Sequence, residues 1–153
     1  MTLNARNLAL IAAAGSLALL IGAFIFQAFG YAPCKLCLWQ RWPHAAAIGV
    51  GAGVLLTGWR PLSWLGAAAA LTTAAIGLYH TGVERGLWIG PTSCTSNGVT
   101  GVSADELLAQ ILAAPLIRCN EVAWSLMSLS MASWNAVFSF ALVALWVAAA
   151  RRR

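Results

Sequence analysis

Four cysteines carry the chemistry of this chain. Cys34 and Cys37 enclose two residues in Cys34-Lys-Leu-Cys37, directly after a long apolar stretch. Cys94 and Cys119 stand 25 positions apart in the only long polar stretch. Thiols so arranged can ligate a metal, anchor a haem, close structural disulfides or pass electrons through disulfide exchange.

Two of these chemistries fit poorly. A structural Cys₄ zinc site expects ligands in short C-x₂₋₄-C spacing, which Cys94 and Cys119 lack, so no metal centre is expected. Haem attachment needs Cys-x-x-Cys-His, and Leu38 follows Cys37. Inert disulfides and redox catalysis remain open. A Cys34–Cys37 bond closes a very small loop, and cross-link stabilisation grows with loop length. A cysteine at a helix start is instead favoured as the thiolate, the species that attacks disulfides. The second long apolar helix is expected to begin just after Cys37, with Lys35 and Arg41 nearby. Arg41 lies one helical turn beyond Cys37. At a membrane boundary it needs a polar or anionic partner, or it snorkels as an anchor.

The elements that position these thiols follow from composition. Of 153 residues, 61% are hydrophobic and 8% charged, against about 25% charged in soluble domains. The chain is expected to be a single, all-α integral membrane domain. No Asp, Glu, Lys or Arg falls within 7–34, 42–59, 61–83 or 122–150. A spanning helix needs about 20 apolar residues, so each tract holds one. This predicts a four-transmembrane-helix bundle, with spans near 8–29, 42–59, 62–80 and 133–150 and outer loops near 30–41 and 81–132. The runs are too continuous for the alternating strands of a barrel. In the last tract, Trp124, Met127 and Met131 alternate with Ser125, Ser128 and Ser130, which reads as a surface-lying approach to the helix. The first apolar run exceeds a signal-peptide core and ends in no clean cleavage site, so it is read as retained.

Arg6, Arg60 and Arg151 to Arg153 flank one side of such a bundle, whereas all four acidic residues lie in the 81–132 loop. Lys/Arg bias then sets both termini in the cytoplasm and the cysteine loops outside. The net charge of +5 is mostly this bias and implies no nucleic-acid partner. Trp39, Trp42, Tyr79 and Trp88 mark the outer boundary, and Trp59 and Trp64 the inner one. In the long loop, 82–101 reads as mobile. Ser103-Ala-Asp-Glu106 then fits a capping box, and Leu107, Leu108, Ile111 and Leu112 continue at helical spacing. A short interfacial helix ending near Pro115 is expected.

With these residues in view, Cys34-Lys-Leu-Cys37-Leu-Trp-Gln40-Arg41 resembles the CxLCxxxR signature of the DsbB family of disulfide bond formation proteins. The runs Gly86-Leu-Trp-Ile-Gly-Pro-Thr-Ser-Cys94 and Arg118-Cys119-Asn-Glu-Val-Ala-Trp124 are similar to the family's loops. The resemblance covers most of the chain. It implies a four-helix bundle in the bacterial inner membrane. It also implies an enzyme that reoxidises a DsbA-like periplasmic thioredoxin-fold dithiol and passes the electrons to membrane quinone, either ubiquinone or menaquinone. By position, Cys94 takes the partner's attack, Cys119 is its loop mate, and Cys34 and Cys37 form the quinone-proximal couple. Cys37 engages the quinone with help from Arg41. His80 and Glu84, at the outer end of the third helix, are candidates to protonate reduced quinone or are plain interfacial groups. His44, after Pro43, is read as the latter. Two rival readings are a reductase of the vitamin K epoxide reductase type, whose CxxC lies late in the chain, and a non-enzymatic scaffold held by two disulfides.

Overall fold

A computed structural model describes residues 4–91, 103 and 118–152. Four helices dominate: α1 (Ala5–Ala28), α2 (Lys35–Thr57), α3 (Leu62–Glu84) and α4 (Met131–Arg151). Three of the four starts carry a side-chain cap, and α3 has none. The Asn4 side chain accepts from the Asn7 N–H at 2.8 Å, and Ser130 Oγ accepts from the Ser133 N–H at 3.2 Å. Such caps satisfy donors that the first helical turn leaves open. α2 ends on Gly58, whose φ of +67° is the left-handed conformation that suits glycine.

The helices form a ring. α1 packs on α2 and α4, and α3 packs on the same two, while α1 and α3 barely meet. The core is built of small residues around one large one. Ala9, Ala12, Ala70 and Ala149 surround Trp146, and all five are fully buried. A Cβ on Gly66 would stand 2.5 Å from the Trp146 ring, so glycine there lets α3 approach α4. Close approach through small residues is how helices associate without a hydrophobic gradient. The large apolar side chains point outward instead, among them Ile21, Phe24, Leu71, Leu78 and Phe140. This inverted distribution suits lipid rather than water.

Among the described residues, three helices are long and apolar enough to cross a membrane: α1, α3 and α4. α2 has 23 residues, but Gln40, Arg41 and His44 in its first half lower its hydropathy. α2 also begins at Lys35, earlier than the sequence suggests, because the Cys34 sulfur itself caps it. α3 runs on to Glu84, which places His80 and Glu84 on one helix. The serine-rich approach to α4 is a two-stranded hairpin, β1 (Ser125–Leu126) and β2 (Leu129–Ser130), with Ser125 opposite Ser130. Met127 and Ser128 both take positive φ at its tip, as tight hairpin turns require. The interfacial helix expected after Ser103, and Cys94, lie outside the described residues.

Candidate functional site

Cys34 and Cys37 sit at the N-terminus of α2. The chain leaves α1 through Gly30, at φ +95°, and reaches Cys34 in extended conformation. Cys34 Sγ accepts from the Cys37 N–H at 3.3 Å. The two sulfurs are 2.9 Å apart and unbonded. Cys34 is buried, and Cys37 is half-buried in the first turn. The hydrogen bond from Cys34 first, and with it the helix end and the nearby Arg41, favours negative charge on Cys37. Cys34 precedes the helix. Its hydrogen bond to Cys37, and after that its burial, hold its thiol far above the ordinary range. Cys34 therefore keeps its proton and shares it with Cys37.

On one side of this couple stand Cys119 and the end of α3. Cys119 packs against Cys34 and is unbonded. His80 Nε2 lies 3.5 Å from Cys34 Sγ and 3.8 Å from Glu84 Oε1. The Cys119 backbone also hydrogen-bonds His80. Glu84 in turn accepts from Ser130 Oγ, which ties α3 to the cap of α4.

Behind the couple runs a buried polar network that no apolar-tract argument anticipates. Gln40 Nε2 donates to the Leu36 carbonyl at 3.1 Å and stands 3.0 Å from His80 Nδ1. Gln40 Oε1 accepts from Asn135 Nδ2 at 2.7 Å. Asn135 Oδ1 meets His44 Nε2 at 2.9 Å, and Thr73 Oγ1 donates to the Gln40 carbonyl at 3.1 Å. The network joins α2, α3 and α4 at the depth of the thiols. Gln40 lies inside the cysteine motif, but its spacing there says nothing of the partners it finds on α3 and α4. Asn135, a lone amide in an apolar tract, is the sequence signal for this network, since intramembrane polar groups mark functional positions.

On the other side of the couple opens a cavity of about 390 Å³ between α1, α2, α4 and the hairpin. Cys37, Gln40, Arg41, His44 and Asn135 supply its polar wall, and Phe26, Trp124 and Phe138 are among its apolar residues. Arg41 is held by Gln27 Oε1 at 2.7 Å and the Ala23 carbonyl at 3.4 Å. It also lies 4.8 Å over the Phe24 ring. Two buried nitrogens of this wall, Arg41 Nε and His44 Nδ1, have no hydrogen-bond partner among the described residues.

Residues 5–149 fit the family model of DsbB, the disulfide bond formation protein. The chain belongs to the DsbB family. It is thus a membrane protein of a thiol–disulfide oxidoreductase family. It is also similar to an uncharacterised protein, RP370, of Rickettsia prowazekii (strain Madrid E). That relative is 27% identical over 122 residues, which span 75% of this chain and 69% of the relative. No solved structure matches the chain.

The structure thus brings together six of the seven residues singled out from the sequence. Cys34, Cys37, Cys119, His80 and Glu84 meet where the N-terminus of α2 lies beside the C-terminus of α3, and Arg41 lies one turn further along α2. Cys37 and Arg41 line the cavity. His80 and Glu84 stand against Cys34 instead, on the side of Cys119. The seventh, Cys94, is outside the described residues.

Proposed function

We propose that the protein is a quinone-linked thiol oxidase of the bacterial cytoplasmic membrane that reoxidises a DsbA-like periplasmic dithiol. The observation that carries this reading is the two-sided setting of the Cys34–Cys37 couple. Cys34 faces Cys119, and Cys37 faces the cavity. Electrons entering from the loop and leaving into a membrane ligand would need this arrangement.

The cavity suits a quinone head group. Its volume falls in the usual range for small-ligand sites, about 300–1,000 Å³. Its wall is largely apolar, and Cys37 and Arg41 stand in its polar part, a thiol and a hydrogen-bond donor of the kind a quinone oxygen would meet. Cys37, Arg41 and His44 would hold it. A bound quinone supplies a two-electron acceptor.

The chain's own steps are thiol exchanges. The partner's thiolate attacks Cys94, by family position, and Cys119 leaves as a thiolate. Cys119 then attacks Cys34 of a Cys34–Cys37 disulfide. The Cys34–Cys119 bond forms, the Cys34–Cys37 bond breaks, and the electron pair passes to Cys37, where the helix end and Arg41 stabilise it. Each exchange is reversible, so direction comes from the potentials, with about 30 mV worth about 1.4 kcal/mol for two electrons.

Orientation follows from the charged end of the bundle. Arg6 donates to the Leu55 carbonyl at 3.2 Å, so the N-terminus and the α2–α3 turn with Arg60 share one end. The cysteines occupy the other. The Lys/Arg bias makes the arginine end cytoplasmic and the cysteine end periplasmic, with four spans.

The test mixes purified protein, a reduced thioredoxin-fold dithiol and ubiquinone, and follows quinone absorbance. Wild type reduces quinone, and Cys37→Ser loses turnover while keeping its helical signal and detergent-solution homogeneity. Equal turnover in Cys37→Ser would defeat the reading, and no quinone reduction by wild type would favour a disulfide-braced scaffold.

A further inference from the structure

His80 sits where a metal ligand would. Cys34 Sγ, Cys37 Sγ and a His80 ring nitrogen lie within 4.8 Å of one another. A tetrahedral zinc ion, with Zn–S near 2.3 Å and Zn–N near 2.0–2.1 Å, separates its ligand atoms by about 3.5–3.8 Å. Reduced, this buried N/S₂ cluster has the donor set that thiophilic cations choose. A captured cation would block both sulfurs. A membrane oxidase that cycles through the dithiol needs protection from this.

The hydrogen bonds around His80 supply it. Gln40 has one amide end against the Leu36 carbonyl, which can only accept. That end is therefore the NH₂, and the opposite end, the oxygen, accepts from Asn135. The same NH₂ is 3.0 Å from His80 Nδ1, so Nδ1 must accept and carries no proton. In the neutral ring the proton is then on Nε2. Nε2 faces acceptors: Cys34 Sγ at 3.5 Å and Glu84 Oε1 at 3.8 Å. A metal would need the Nε2 lone pair, and the proton occupies it.

We infer that Gln40 is a positioning residue that fixes His80 as an N–H donor to the Cys34 sulfur, and thereby keeps the Cys34–Cys37–His80 cluster from capturing a thiophilic cation such as Zn²⁺. The donor has its own use in exchange at these sulfurs. When the Cys34–Cys119 bond is later broken by attack on Cys119, the electron pair passes to Cys34, and the N–H aimed at that sulfur stabilises it. That consequence rests on the proposed exchange, whereas the tautomer and metal exclusion do not.

Two measurements test it on the full-length protein in detergent, reduced and anaerobic. The first uses no variant at the site. The chain has two histidines, so ¹⁵N-histidine NMR assigned with His80→Ala reads the His80 tautomer directly. The expected spectrum shows Nε2 protonated, and an Nδ1-protonated ring overturns the inference. The second titrates Zn²⁺ against a chromophoric chelator, in a Cys94→Ser background that removes the other dithiol. Gln40→Met keeps the length and removes the donor. Partners of metal-binding histidines are worth about 10–100-fold in affinity, so Gln40→Met should bind Zn²⁺ at least about tenfold more tightly than its parent. Adding His80→Ala should abolish the gain, and oxidising Cys34 to Cys37 should abolish binding at this site. Equal affinity in Gln40→Met and its parent, or a gain that survives His80→Ala, overturns it.

Discussion

At the scale of single residues, the site depends on which atoms each side chain offers, beyond its charge. Arg41 illustrates this. Its guanidinium reaches Gln27 Oε1 and the Ala23 carbonyl with its two terminal nitrogens, which fixes it in the cavity wall. Lysine keeps the charge but is a point donor on a flexible stem and cannot make the fork. Arg41→Lys should raise the KM for quinone by about tenfold, roughly 1.4 kcal/mol of lost binding, with a smaller change in kcat. Steady-state quinone reduction checks the split, and a kcat loss with unchanged KM would place Arg41 outside ligand binding. The cysteine motif displays Arg41 openly because spacing along a helix is local information. His80 is not displayed in this way. Its meeting with Cys34 joins residues 46 positions apart, and nothing near position 80 announces it.

At the scale of elements, small residues decide how near the helices come. Gly66 faces the Trp146 ring, and a methyl group there would overlap it at 2.5 Å. Overpacking of this kind typically costs about 1–3 kcal/mol. Gly66→Ala should therefore lower the midpoint of thermal unfolding in detergent while leaving the cysteine chemistry of the folded fraction intact. An unchanged midpoint would mean that the α3–α4 contact yields freely. Helix existence was legible from hydropathy and from the gaps between charges. Helix limits were less so. α2 starts at Lys35 because a sulfur acts as its cap, a role that no propensity assigns to cysteine. The approach to α4 makes a hairpin, because two residues at positive φ turn it back, where serine alternation alone suggested a surface-lying segment.

At the scale of the whole molecule, the bundle brings the loop before α4 onto the start of α2, so Cys119 rests against Cys34 across 85 positions of chain. This contact predicts a trapped species. With Cys37→Ser and Cys94→Ser combined, mild oxidation should give a Cys34–Cys119 disulfide, read as a linked peptide by mass spectrometry after digestion. Finding only reduced Cys34 and Cys119 under those conditions would break the electron path at its middle step.

What the sequence alone determined is the class of molecule and its reactive groups. Too few charges remain to solvate a surface, and a CxxC followed by an arginine on the next turn is a pattern carried within a few consecutive residues. What only the tertiary structure decided is the pairing of faces: Cys34 toward Cys119 and His80, Cys37 toward the cavity, and the amide chain of Gln40 and Asn135 behind them. Periodicity fixes which residues share a helix face. Which neighbour that face meets depends on how four helices pack against one another, and in a bundle of alanine, glycine and leucine that choice is made by shape.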